Sequence, residues 1–247
     1  MPTYNDYGII LSTSDLAEAD KILNIYTKGS GLVRAIAKGA RKTSSKFLGK
    51  VDRLSCCYFH FAKGKNLDIV SECSQINSFG LLRSDLVRLT SGILFLEIVD
   101  SFAYEMESES KHIYELLHSS LHELEKTENI ELLSVRFILS FLLIHGLSPQ
   151  LETCVACSKE VKRATEQETN KCFPYSTLLG GILCKECAET INYKAVDSNV
   201  FSLIEQVNDK CRVKSNRDVR LALDLLREHI DVRAKNKIKS FDLVFSL

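Results

Sequence analysis

Two cysteine pairs constrain this chain more than any other feature. One is "CVAC", Cys154 to Cys157, and the other is "CKEC", Cys184 to Cys187, with 26 residues between them. A C-x-x-C turn lets two sulfurs point inward onto one ion, and two such knuckles complete a tetrahedral shell. The intervening length only sets the size of the loop. Gly180 and Gly181 precede the second knuckle and allow a tight backbone there. The pattern predicts one structural Zn2+ held by Cys154, Cys157, Cys184 and Cys187. It would clamp a loop-rich element at about residues 152–190 that could not build its own core. Four unrelated buried thiols are the blander alternative, and paired spacing argues against it. Four thiolates leave no open position for water or substrate, so a catalytic metal is not expected. The zinc deaminase signature is absent too: Leu183 stands where it requires proline, and no H-x-E occurs.

Nine cysteines are present, an odd number. "MPTYNDYGIIL" has no basic start and carries Asp6, so no signal peptide is read there. Together these predict a reducing compartment, the cytoplasm, and no disulfide framework. Cys56, Cys57, Cys73 and Cys211 are expected as small buried hydrophobes, and Cys172 as a bystander between the knuckles. His118 and His122 lie one helical turn apart without a third ligand, so a solvated helix face is expected. The most apolar run, "FILSFLLI" at 137–144, is too short for a membrane span and reads as a buried helix.

The first 80 residues read as strands. "YGIILST", "KILNIYT", "GLVRAIAKG", "LSCCYFHFA" and "LDIVSEC" are β-branched or aromatic runs, several of them alternating. "TKGSG" and "AKGKN" supply turns. Five short strands fit a barrel of the OB type, and an SH3-like barrel or open meander has a similar pattern. From residue 80 the period becomes helical. Helices are expected over 84–105, capped by Ser84, and over 110–126 and 128–146, the last ending at Gly146 as its C′ residue. Two more are expected at 198–209 and 216–235. The helix at 128–146 is apolar nearly all round and should be central to a bundle. The reading is therefore α+β: a five-stranded OB-type β-barrel at 1–79, then an all-α helical domain at 80–247 with an inserted four-cysteine zinc element.

Net charge is zero only by cancellation. Residues 1–80 hold 11 Lys/Arg against 7 Asp/Glu, whereas residues 81–150 hold 5 against 11. From Lys28 to Lys65 there are ten basic residues and one acid, Asp52. Gly39, Ser44 and Ser45 should make the centre of this stretch flexible. Arg34, Lys38, Arg41, Lys42, Lys46 and Lys50 are the candidate DNA contacts, attracting phosphates by counterion release without reading sequence. A solubilising loop is the alternative. Tyr26, Tyr58, Phe59 and Phe61 could offer stacking surfaces, with core packing the expected role for most. Catalytic motifs are not found: "GARKTSSK" lacks the second glycine and the Lys-Ser/Thr that follows it in a P-loop, and there is no G-x-S-x-G.

The order of these features resembles the RecO family of bacterial recombination mediators. The pieces that carry it are "YGIILSTSDLAEADKILNIYTKGSGLVRAIAKGARK", "LLIHGLSPQLETCVACSKEV", "GGILCKEC" and a tail ending "NKIKSFDLVFSL". The resemblance implies a non-enzymatic protein with an N-terminal OB domain and a helical domain carrying zinc. It implies binding to single- and double-stranded DNA and annealing of complementary strands. It also implies partnership with RecR and with the C-terminal tail of the single-stranded DNA-binding protein, so that RecA is loaded. The tail departs from the family's small, basic ending by being apolar. The alternative is a zinc-containing RNA-binding or transcription-associated module on the same barrel.

Overall fold

The computed structural model describes residues 2–105, 108–162, 171–207 and 215–244. Five strands, β1 (Thr3–Leu16), β2 (Asp20–Thr27), β3 (Gly31–Ala37), β4 (Cys56–Ala62) and β5 (Asp68–Asn77), close into a barrel in the order β1-β2-β3-β5-β4. β3 meets β5 in parallel at Ala35 and Asp68, and β4 returns antiparallel to β1. That circuit is the OB topology. Closure is possible because β1 is long and bulged between Ile10 and Ser12. Its first half pairs with β4 and its second half with β2.

Period-two alternation fills the interior. Ile10, Leu23, Ile25, Val33, Ala35, Phe59, Phe61 and Val70 form its core. The segment between β3 and β4 closes one end by inserting Phe47 and Val51 into the same cluster. Rather than a flexible loop, that segment is a train of hydrogen-bonded turns. Lys42 N–H donates to Gly39 O, Ser45 to Lys42, Leu48 to Ser45 and Lys50 to Phe47.

Contacts divide the chain into two compact units, Met1–Glu128 with Lys235–Leu247, and Asn129–Ala234. The segment 80–247, expected as one helical domain, is therefore shared between both. In the first unit α1 (Gly80–Arg83), α2 (Leu86–Phe102) and α3 (Ser110–Leu124) accompany the barrel. The cap of α2 is Asp85, not Ser84: its carboxylate accepts from the Val87 and Arg88 N–H groups. Asp100 of α2 accepts from Ser12 and Asn24 on the barrel exterior. The apolar tail folds back here as α8 (Ser240–Val244), which buries Phe241 and donates from Ser240 to Glu97; residues 245–247 of that tail lie outside the described residues.

The second unit begins with α4 (Ile130–Ile144), capped by Asn129 and buried on most of its surface as expected. It ends in a Schellman motif: Leu147 N–H donates to Leu142 O at 2.8 Å and Gly146 N–H to Leu143 O at 3.0 Å, with Gly146 at φ +66°. A small sheet follows, β6 (Cys172–Ser176), β7 (Gly181–Ile182) and β8 (Lys194–Asp197), in the order β7-β6-β8, with α5 (Lys185–Ala188) between β7 and β8. α6 (Ser198–Gln206) and α7 (Asn216–Asp231) complete the unit, α7 packing on both α4 and α6.

Candidate nucleic-acid interface and metal centre

The four knuckle cysteines converge. Their sulfurs all lie within 4.8 Å of one another, with Cys157 Sγ 3.7 Å from Cys184 Sγ. A tetrahedral ion with bonds of about 2.3 Å spaces its ligands by about 3.8 Å, so the four thiols could hold one metal ion. Backbone bonds set this geometry. Cys154 N–H donates to Lys159 O and Ser158 N–H to Cys154 O, both at 2.8 Å, which closes the first knuckle. Val155 N–H donates to Ile182 O at 3.0 Å and ties it to β7. The short helix α5 begins at the second knuckle, where Ala188 N–H donates to Cys184 O. Burial raises the Cys154 thiol, but N–H donors of Cys184, Ala156 and Cys157 outweigh it and bring it down to about 6. This favours the thiolate a metal needs. An ion pair at 2.5 Å between Lys159 and Glu186 links the knuckles from outside.

Among the described residues the remaining thiols stay out of this cluster. Cys56 and Cys57 are buried and Cys73 is half-buried, in the barrel, while Cys172 is exposed on β6. Cys211 lies outside the described residues. His118 and His122 are half-buried rather than fully solvated. Both rings pack on Phe79, and their centroids are 4.7 Å apart. They belong to no metal-ligating group of three or more among the described residues.

Five of the six candidate DNA contacts are exposed: Arg34 on β3, Lys38 just past its end, and Arg41, Lys42 and Lys46 on the turns that follow; Lys50 is half-buried. Arg34, Lys38 and Lys42 make no ion pair among the described residues. Arg41 is held by Asp15 at 3.4 Å and by the Ala17 carbonyl. Lys46 donates to Ser71 O on β5 at 2.5 Å and lies over the Phe47 ring. Phe47 and Val51 anchor the end of the turns in the barrel core, and the exposed cations Lys38, Arg41, Lys42 and Lys46 lie on the chain before Phe47. The cations nearer the C-terminus are more occupied. Arg233 donates to the Thr177 and His229 carbonyls, and Lys235 to Ala103 O. Of the candidate stacking rings, Tyr26, Phe59 and Phe61 are wholly buried and only Tyr58 reaches the surface. Tyr7, beside it and 48% exposed, is not among the candidate rings read from the sequence. Among the described residues no helix is long and apolar enough to cross a membrane.

A closed barrel bearing exposed cations on one connecting segment, with a second unit that gathers four thiols, defines an OB-barrel protein with an accessory metal-type knuckle. The family described as "Recombination protein O N terminal" matches residues 1–79, and "Recombination protein O C terminal" matches residues 83–241. The chain belongs to the recombination protein O, or RecO, family. Among its relatives is a "DNA repair protein RecO" of Desulforamulus reducens, 35% identical over 188 residues, covering 76% of this chain and 70% of the relative. Another, of the same description, from Dehalococcoides mccartyi is 30% identical over 223 residues, covering 88% and 85%.

Proposed function

We propose that this protein is a cytoplasmic recombination mediator in DNA repair that binds single- and double-stranded DNA and anneals complementary strands without catalysing a reaction. With RecR it would help load RecA onto DNA coated by single-stranded DNA-binding protein, whose C-terminal tail it would contact. The family match across both halves of the chain carries this reading. It is supported by Arg34, Lys38 and Lys42, exposed beside the barrel and without an ion pair among the described residues, where phosphates can displace counterions. Annealing needs charge neutralisation of two strands, which such cations supply without a nucleotide cofactor.

The ion of the knuckles is read as Zn2+, bound by Cys154, Cys157, Cys184 and Cys187. Four sulfurs with tetrahedral spacing suit it. When bound it would supply cohesion, since four thiolates leave no position for substrate.

The test is annealing of complementary strands, each coated with single-stranded DNA-binding protein, in the absence of ATP. Acceleration over the coated strands alone is expected. No acceleration, together with preferential binding of RNA, would favour the RNA-binding module instead.

A further inference from the structure

The outer face of β1 and β4 carries rings that neither the basic turns nor the thiol cluster use. Cross-strand register sets Tyr7 opposite Tyr58, and their rings lie 4.8 Å apart, tilted by 52°. His60 follows on the same face of β4, edge-on to Tyr58 at 5.4 Å. One exposed ring is ordinary, but the exposed Tyr7 beside the half-buried Tyr58 and His60 on one sheet face makes a surface. At its other end this face is closed off: Ile9 and Cys56 are fully buried, and Tyr114 of α3 meets Cys56 Sγ at 3.4 Å. The rings emerge into solvent from beneath α3.

The strip is continuous with the basic turns. Lys46 Nζ donates to Ser71 O, and Ser71 Oγ donates to His60 O at 3.0 Å. Past His60, β4 runs into a turn bearing the exposed Lys63 and Lys65. Lys63 is paired with Asp68 at 3.3 Å; Lys65 makes no ion pair among the described residues. Glu72 stands opposite His60, so a phosphate is repelled at the rings while an uncharged base is not.

We propose that Tyr7, Tyr58 and His60 form a stacking platform for the unpaired bases of single-stranded DNA, whose phosphates Lys46 and Lys65 hold at the His60 end of the strip. The proposal rests on the DNA-binding reading above. Stacking tolerates any base because every base has a π-face, and it requires bases whose faces are free. A duplex therefore gains nothing from these rings. A protein partner could also cover them, but the cations adjoining the His60 end of the strip match an anionic polymer better.

The experiment uses the full chain with three probes: oligo-dT, an abasic strand of equal length, and a duplex. The Tyr7→Ser/Tyr58→Ser double variant should lose about tenfold or more affinity for oligo-dT, while its affinities for the abasic strand and the duplex stay as in the parent. Phe at both positions should restore oligo-dT binding. The chain has no Trp, so Tyr58→Trp creates a lone reporter, which oligo-dT should quench and the abasic strand should not. Equal losses on all three probes, or unchanged oligo-dT binding with no quenching, would overturn the platform. A parent protein that binds none of the probes would overturn the DNA reading itself.

Discussion

Tyr175 Oη donates to His229 Nδ1 at 2.7 Å, deep between β6 and α7. The other ring nitrogen, Nε2, lies 2.8 Å from the Leu147 carbonyl. A carbonyl only accepts, so Nε2 carries the proton and Nδ1 accepts from the tyrosine. One neutral imidazole thus joins the small sheet, α7 and the chain just past α4.

This arrangement predicts acid lability. Burial, with Arg233 nearby, pushes His229 down to about 4 against the opposing bond to Leu147 O. The unfolded chain holds its histidine near the ordinary value of about 6.5 and so binds more protons between pH 4 and 6.5. Stability is complete above about pH 6.5 and falls as the pH drops towards 4, by up to about 3 kcal/mol from this group. Urea unfolding at pH 7.5 and pH 5 should show a smaller difference for His229→Gln than for the parent, both in the same buffers. Equal differences would place the lability elsewhere.

The thiol cluster predicts one Zn2+ per chain, detectable by metal analysis of protein purified under reducing conditions. Chelation should raise hydrogen exchange at Val155 and Ile182, whose N–H groups donate to Ile182 O and Gln150 O beneath the knuckles. The barrel amides of β1 to β5 should keep their protection, since the barrel has its own apolar core. Barrel amides that open together with the knuckle would contradict a local structural role.

The two knuckles were legible because ligand spacing is local, and so were the five strands and the end of α4 at Gly146. Other features depend on contacts remote in sequence. Strands β6 to β8 are short, and Pro174 interrupts the usual strand signal, so nothing local marks them. Packing of α2 on the barrel hangs on Asp100 meeting Ser12 and Asn24, which no periodicity encodes. Asp85 outcompeted Ser84 as a cap because its backbone is extended while Ser84 still closes α1. Tyr7 opens an apolar strand run, and only the register with Tyr58 shows which face it takes.

Changing Lys38 and Arg41 together to Ala should weaken binding of single strands regardless of sequence. If about four phosphates are neutralised, log affinity falls with log salt at a slope near −3, and losing two contacts should bring it to about −1.5. Arg41 also pairs with Asp15 on the surface, an interaction worth about 0–1 kcal/mol, so Lys38→Ala alone is the cleaner arm. Fluorescence anisotropy across a salt series measures the slope. A slope unchanged in the double variant would move the interface away from these turns.

Two glycines separate backbone strain from overlap at the metal centre. Gly146 has φ +66°, yet a Cβ built there meets nothing within 4 Å. Gly146→Ala should therefore cost only the left-handed backbone penalty, about 1–2 kcal/mol. At Gly181 an added Cβ would lie 2.4 Å from Val155 Cγ1 and 2.5 Å from Gln150 O. Both neighbours belong to the stretch that bonds β7: Val155 donates to Ile182 O, and Ile182 donates to Gln150 O. Relieving the overlap pushes residues 150–155 off β7 and carries Cys154 away from Cys184. Overpacking of this kind costs about 1–3 kcal/mol, so the two variants can be similar in urea midpoint. They should differ in metal retention. Gly181→Ala should surrender its ion to a chelator at lower concentration than the parent, and Gly146→Ala should match the parent. Equal retention in both variants would mean that the close approach of β7 to the first knuckle does not position the ligands.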